Sequence, residues 1–402
     1  MAGVAVGQEV WVVATKACSQ NEKDLLFQQL KSSSVLTASG RVGGESGPWT
    51  FQVPDGEGKL MFGSFDNLMR LTDDLQKSDA QVDTIVHRLE RQWLDIDPNA
   101  KFKVKSQRQE KTFGEYISSW QWDETRYPRT RSINDNLTYL MSNVSKMDEE
   151  VRNRTQQFNE FKTQKANLSK KEGAGLIARD LVDLLTPEEI RIRGTAEDDW
   201  VVTEHLTTVP VILPRGTEKD FLASYESLSP YVVPQSAKKF AKLDDKDGNC
   251  IYSVVVMKQG AEDLKKACRE KRFIPRDFEY SEEAYHKLAR QREQLDDAVK
   301  KQHIQVRGLY EAAWSDSMIA WVHIKAMRIF VESVLRFGMP PQFAAYTVMP
   351  RASNGPSARK VLLDILGKHT LDQAKSAAMT EDGEEYFPYA SFSFTPFSAA
   401  RN

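Results

Sequence analysis

The 402-residue chain carries 55 Lys and Arg against 57 Asp and Glu, a formal charge of -2, which excludes a whole-chain electrostatic draw toward nucleic acid or anionic lipid. Hydrophobic residues make up 40% and aromatic ones 10%, too much apolar surface for a disordered chain. Cys18, Cys250 and Cys268 are scattered and form no C-x-x-C, which excludes a disulfide framework and a thiolate zinc site. No stretch approaches the ~18 apolar residues of a membrane span. The opening MAGVAVGQEVWVV lacks a basic n-region, and Ala2 excludes N-myristoylation. The N-x-S/T sequons at Asn136, Asn143, Asn153 and Asn167 read as accidents, and the chain is expected to be cytosolic.

In chain order, Val10–Val13 reads as a buried strand and Asn21–Lys31 as a helix, followed by loop signals over Gly40–Pro54. Asp66–Trp93 is a long amphipathic helix carrying Leu68, Leu71, Leu75, Val82, Ile85, Val86, Leu89 and Trp93. Lys101, Lys103 and Lys105 alternate with Phe102 and Val104, with Arg108 and Lys111 beyond. This reads as an exposed strand or loop, either a solvated face or a surface for an acidic protein, in preference to a nucleic-acid patch.

After Pro128 a heptad seam begins, with Ser132 and Asp135 as a capping-box-like start. Ile133, Leu137, Leu140, Val144, Met147, Val151, Arg154, Phe158, Phe161, Lys165 and Leu168 follow in alternating steps of four and three. A period of 3.5 held this long predicts a helix that packs along a partner helix, a rod of ~60 Å. Gly173 and Gly175 supply the stop. The run Gly173–Ala178 matches G-x-G-x-x-A, but a Lys-rich helix end precedes it where a dinucleotide site needs a strand; it reads as a helix C-cap.

Residues 173–280 read as a small α/β unit. A strand-like run covers Trp200–Val202 and Val209–Leu213 within Asp199–Leu213. Phe221–Leu228 reads as helix, Ile251–Met257 as strand and Ala261–Lys271 as helix. Asp244–Gly248 resembles a calcium loop, yet with Gly248 at loop position 6 the end positions fall on Leu243 and Val254, so it reads as a hairpin turn. A second seam starts after Ser281: Tyr285, Leu288, Arg292, Leu295, Val299, Gln302, Val306 and Leu309, a rod of ~45 Å. Asp316–Phe337 is apolar nearly all round and predicts a buried helix ending at Gly338. A helix over Ala358–Lys368 and an edge strand in Tyr386–Phe397 complete the chain.

Each seam is the other's nearest candidate partner. Antiparallel pairing brings Leu168 near Tyr285 and makes the middle of the chain an insertion. The expected fold class is α+β, mostly helical and elongated, with a larger lobe discontinuous in sequence (1–130 and 311–402), a two-helix coiled-coil neck (131–172 and 281–310) and an inserted small α/β domain (173–280). The alternative gives each helix its own bundle. Arg154, Lys165, Arg292 and Gln302 weaken the seam and could fix its register. The histidines (His87, His205, His286, His303, His323, His369) show no H-E-x-x-H and no local pairing. His323, in the apolar helix, reads as a hydrogen-bonded core residue, and His286 and His303 as solvated. No Walker-type phosphate cradle occurs. No catalytic, metal or cofactor site is expected.

Several runs together are similar to one family, the C subunit of the vacuolar-type proton-translocating ATPase (V-ATPase). The strongest is Ala320–Gly338, AWVHIKAMRIFVESVLRFG. Gln121-Trp122-Asp123 with Arg126-Tyr127-Pro128 resembles the family's Q-W-D-x-x-K-Y-P. Phe273–Tyr280 resembles its F-x-V-R-D-F-x-Y, with Pro275 in place of the usual Val. Val10–Val13, Gly175-Leu176 with Arg179-Asp180-Leu181, and Tyr386–Tyr389 agree more weakly. Gly40–Glu57 and the extreme ends do not match. The resemblance implies a dumbbell of globular foot, helical neck and inserted head. It implies no enzyme, but a stator component whose head binds a peripheral stalk of the E and G subunits. The foot would contact a second stalk and the cytosolic N-terminal domain of the membrane-sector a subunit. The protein would leave the complex when the two sectors separate reversibly, and would sit on the cytosolic face of vacuolar and endosomal membranes. Nucleotide and actin binding are attributed to relatives, and no motif here supports either. Arg272, Phe273, Arg276 and Phe278 are a candidate partner interface or junction packing. A free cytosolic coiled-coil adaptor or cytoskeletal linker is the competing reading, and an enzyme site in the inserted domain a third.

Overall fold

The computed structural model describes residues 7–37, 41–42, 45–55, 60–106, 108–172, 175–187, 190, 200–240, 243–350, 355–367 and 387–397. It is a mixed α/β structure with long helices and small sheets. The chain divides into two compact units, one of residues 1–155 with 303–402, the other of residues 156–302.

The first unit is built round a buried helix. Trp314, Met318, Val322, Ile324, Ala326, Met327, Ile329, Phe330 and Val334 are all at 0% exposure, the burial that an all-round apolar sequence dictates. On one side lies an antiparallel sheet in the order Ala390–Phe394, Val10–Lys16, Phe343–Val348, Trp49–Thr50. Trp11 pairs with Val348 and Lys16 with Phe343; Val10 pairs with Phe394 and Ala14 with Ala390. Trp11, Val13, Ala344 and Tyr346 face helices Gln20–Ser32 and Gly355–Leu366 through Leu26, Leu30 and Leu362. Phe343 and Phe394 face the buried helix, with rings at 6.1 Å from Phe330 and 4.9 Å from Trp321. Coverage on both faces explains why Val10–Ala14 is a continuous apolar run rather than an alternating one. Helix Phe65–Ile96 adds its stripe of Leu68, Leu75, Val82, Val86, Leu89 and Trp93 to the same core.

The second unit holds a four-stranded antiparallel sheet in the order Ile274–Pro275, Leu206–Leu213, Cys250–Met257, Lys238–Lys239. Val209, Val211, Tyr252, Val254 and Val256 pack against Phe221 and Leu264 of the helices Glu218–Ser224 and Ala261–Glu270. Ile212 and Ile251, on the opposite face, meet Leu176, Leu181, Leu184 and Phe240. The edges carry Lys238, Lys239 and Pro275, residues that discourage further strand pairing.

Four expectations need correction. The second rod and the buried helix are one 56-residue helix, Glu282–Phe337, so no helix end falls at residue 310. Nothing between Leu309 and Asp316 breaks a helix. At the expected boundary Ser315 and Asp316 hold neighbouring segments: Ser315 Oγ accepts from the Lys105 N–H at 2.8 Å, and Asp316 from Arg126 at 2.9 Å. Trp200–Val202 is not a strand; the Val201 carbonyl accepts from the Thr208 hydroxyl, and the strand is Leu206–Leu213. The helix expected at Phe221–Leu228 is Glu218–Ser224, followed by a 3-10 turn at Tyr225–Ser227. Trp49–Thr50, within the expected loop, is a sheet edge because Trp49 is buried. The first rod is Ile133–Glu172 and the last helix Gly355–Leu366; Gly173, Ala174, Asp199, Lys368, His369 and Tyr386 lie outside the described residues.

Candidate functional site

Within the family-like run Ala320–Gly338, His323, Lys325, Arg328 and Arg336 tie a largely apolar helix to other segments of the chain. His323 is 1% exposed. Its Nδ1 lies 2.7 Å from the Ile319 carbonyl, and its Nε2 3.2 Å from the Asp123 N–H. One nitrogen must donate and the other accept, which sets the neutral tautomer with the proton on Nδ1. Trp120, Trp122 and Tyr127 surround the ring at centroid distances of 5.4, 5.2 and 4.7 Å. Burial among them pushes the imidazole pKa down to about 4, against the bond to Ile319 and the charge of Asp123. The loop that supplies these groups is folded on itself. Asp123 Oδ1 accepts from the N–H groups of Thr125 and Arg126, and Trp122 donates to the Tyr127 carbonyl at 2.7 Å. The Q-W-D and R-Y-P residues thus form a cap over His323.

Lys325 and Arg328 reach the long helix Phe65–Ile96. Asp79, 7% exposed, accepts from Lys325 Nζ and Trp321 Nε1, both at 2.8 Å, and from Arg328. Burial pushes the Lys325 ammonium below the ordinary lysine value, while Asp79 pulls the other way. The cations also lie over rings, Lys325 over Phe394 at 5.2 Å and Arg328 over Phe392 at 4.1 Å. Arg336 donates to the Phe387 carbonyl at 2.7 Å and pairs with Glu332. These side chains bind the molecule to itself. Asp79 lacks a motif of its own, but it sits in the apolar stripe between Leu75 and Val82, a position where a carboxylate must find a cation.

Where the rods meet this core, polar contacts tie them to the long helix. Tyr310 OH, on a side chain of 0% exposure, donates to Gln92 and meets Thr155 Oγ1 at 3.0 Å. Asp148 takes Arg88 and Arg152, and Asp97 takes Arg307. His303 is half-buried, its Nε2 3.5 Å from the Ile96 carbonyl, and so is not the solvated residue expected; His286 is exposed beside Glu282.

Along the first rod Ile133, Leu137, Leu140, Val144, Val151 and Phe158 are buried, and Met147, Phe161, Lys165 and Leu168 half-buried; Arg154 is exposed. Along the second, Val306 is buried and Tyr285, Leu288, Arg292, Leu295, Val299, Gln302 and Leu309 are half-buried. Within the second unit Lys165 Nζ meets Asp296 at 2.9 Å. In an antiparallel pair Leu168 therefore lies closer to Leu295 than to Tyr285, about two turns from the expected meeting point. Arg292 pairs with Asp183 of the short helix Leu181–Leu184 at 2.6 Å.

Three of the four junction residues, Phe273, Arg276 and Phe278, have internal partners. Phe273 is 3% exposed in the sheet core, and Phe278 packs edge-on against Trp200 at 5.2 Å. Arg276 donates to the carbonyls of Ile177 and Arg179. Asp245 accepts from the Leu176 N–H at 3.0 Å, so the turn Gly175–Arg179 is held at both ends. Those backbone bonds, with the one from Asp247, hold the Asp245 carboxyl below its usual range. Arg272 is exposed and adopts φ 65°. Among the described residues, no group of three His, Cys, Asp or Glu could hold a metal ion, and no helix is long and apolar enough to cross a membrane.

The family model for the V-ATPase C subunit matches residues 10–390. The V-type proton ATPase C 1-A subunit of Danio rerio is 29% identical over 401 residues, covering 95% of this chain and 96% of the relative. The V-type proton ATPase C 1 subunit of Rattus norvegicus is 29% identical over 400 residues, with the same coverage. A solved structure of the cytoplasmic N-terminal domain of the V-ATPase I subunit, a homolog of the a subunit, aligns over 96% of this chain and all of its own, but with 12% identity and a TM-score of 0.24, too low to inform the fold. With a match running from the first strand to the last, this chain belongs to the V-ATPase C subunit family.

Proposed function

We propose that the chain is a non-catalytic stator component of the V-ATPase peripheral sector. It bridges the peripheral stalks, built of the E and G subunits, to the cytosolic N-terminal domain of the membrane-sector a subunit, and its release accompanies reversible separation of the sectors. The observation that carries this reading is the family match over residues 10–390; the bridging role is what the resemblance to the family implies. In the same reading the molecule is a dumbbell. A foot of 1–130 and 311–402 and a head of 173–280 are joined by an antiparallel coiled-coil neck of 131–172 and 281–310. The half-buried seam and the Lys165–Asp296 pair support the neck. Two packed rods resist bending, and a clamp with two ends gains avidity, since losing one contact lowers the effective concentration at the other. The chain then sits on the cytosolic face of vacuolar and endosomal membranes through the complex alone.

The test is capture of purified partners by the full chain. An E–G heterodimer and the cytosolic domain of the a subunit should each be retained, and the chain alone should not hydrolyse ATP. Retention of neither partner would sink the stator reading in favour of a free adaptor.

A further inference from the structure

Gly308 stands in the interior of helix Glu282–Phe337, where glycine weakens a helix relative to alanine. Nothing among the described residues calls for it. The position is exposed, and a Cβ built there meets no atom within 4 Å. One turn before it, on the same face, Ile304 is 71% exposed. One turn after it, Glu311 meets Lys105 at 3.0 Å. Lys105 belongs to the hairpin Val104–Ser106 and Gln109–Lys111. Val104 is 0% exposed and Phe102 packs on Trp93 and Trp314 at 4.7 and 5.0 Å, so the hairpin is held firmly against the helix. Residues 101–111 carry five cations and one acid. Glu110 and Glu311 are taken by Lys103 and Lys105, and Lys111 acts on Glu115, which leaves Lys101 and Arg108 in excess.

We infer that this face docks an acidic helix of a protein partner. Its backbone approaches closely over Gly308, an apolar side chain covers Ile304, and its carboxylates meet the hairpin. A missing Cβ permits close helix approach, and charge excess gives the partner its sign. The inference rests on the proposed function, since it assumes that other components of the pump hold the chain.

The experiment measures binding of the full chain to the E–G heterodimer and to the cytosolic domain of the a subunit separately, at two salt concentrations, and to phosphatidylserine vesicles. Gly308→Ala should raise the thermal midpoint of the free chain by about 2–4 °C while weakening one partner. Gly308→Leu, and Lys101→Glu with Arg108→Glu, should each weaken that partner about tenfold or more, and the charge reversal should flatten its salt dependence. A wild-type chain that binds neither protein overturns the stator reading and this surface with it. A wild-type chain that binds while all variants bind equally well overturns the surface alone. So does a lower midpoint for Gly308→Ala, which would make the glycine a need of the chain itself. Charge reversal that abolishes vesicle binding and spares both proteins would assign the hairpin to a membrane and likewise overturn it.

Discussion

Acidification should cost this protein stability through His323. The unfolded imidazole titrates near 6.5, and the folded one, caged by Trp120, Trp122 and Tyr127, only at about 4. Between those values the unfolded chain binds a proton that the native chain refuses, so unfolding gains on folding as pH falls. The contribution is whole above pH 6.5, down by about 2 kcal/mol at pH 5, and by about 3 kcal/mol once the folded pKa is reached, at 1.36 kcal/mol per pH unit. His323→Gln isolates it, because the amide oxygen can still accept from the Asp123 N–H and the side chain does not titrate. Urea unfolding followed by tryptophan fluorescence, from pH 7.5 to 4.5, should show the wild type losing stability faster than the variant. Subtracting the two removes every other group. Among these is His87, whose pKa is raised by Glu90 and Asp83 in spite of burial, and which therefore stabilises at low pH and loses its effect as pH rises through its folded value. Parallel wild-type and variant curves would refute the argument.

Three further outcomes follow from the contacts described. Asp79→Ala leaves Lys325 and Arg328 without their shared carboxylate and should cost about 3–5 kcal/mol in urea unfolding; a loss below about 1 kcal/mol would show that water reaches the pair. Leu137→Ala, at a side chain 4% exposed, should cost about 2–5 kcal/mol. Leu295→Ala, half-buried, should cost less, and a double variant that melts like wild type would remove the seam from the stability of the molecule. In a Cys18→Ser background, a short bismaleimide should join Lys165→Cys to Asp296→Cys much faster than Leu168→Cys to Tyr285→Cys; the reverse order would restore the register read from sequence alone.

Much of the helical architecture was legible because it repeats. The seam positions recur every three or four residues, and the all-round apolar run marks the buried helix without ambiguity. Strands flanked by turns, such as Cys250–Met257, were equally plain. What escaped was pairing at long range. Nothing near Arg292 in sequence announces Asp183, and nothing near Lys325 announces Asp79. The seam fixed which faces are apolar, but heptads slide against one another at little cost, so register waits on individual contacts such as Lys165 with Asp296. The cap over His323 was visible only as a family-like motif; its chemistry needed the imidazole and the Asp123 amide to be brought together.

The first-unit sheet has a consequence for synthesis. Val10–Lys16 is inserted between Phe343–Val348 and Ala390–Phe394, so this strand has to wait for two neighbours that are translated long after it. Residues 156–302 emerge in one uninterrupted stretch and can condense meanwhile. Until those neighbours emerge, a run of valines and a tryptophan stays bare, and a chaperone that shields extended apolar segments would find its client in this strand and not in residues 156–302.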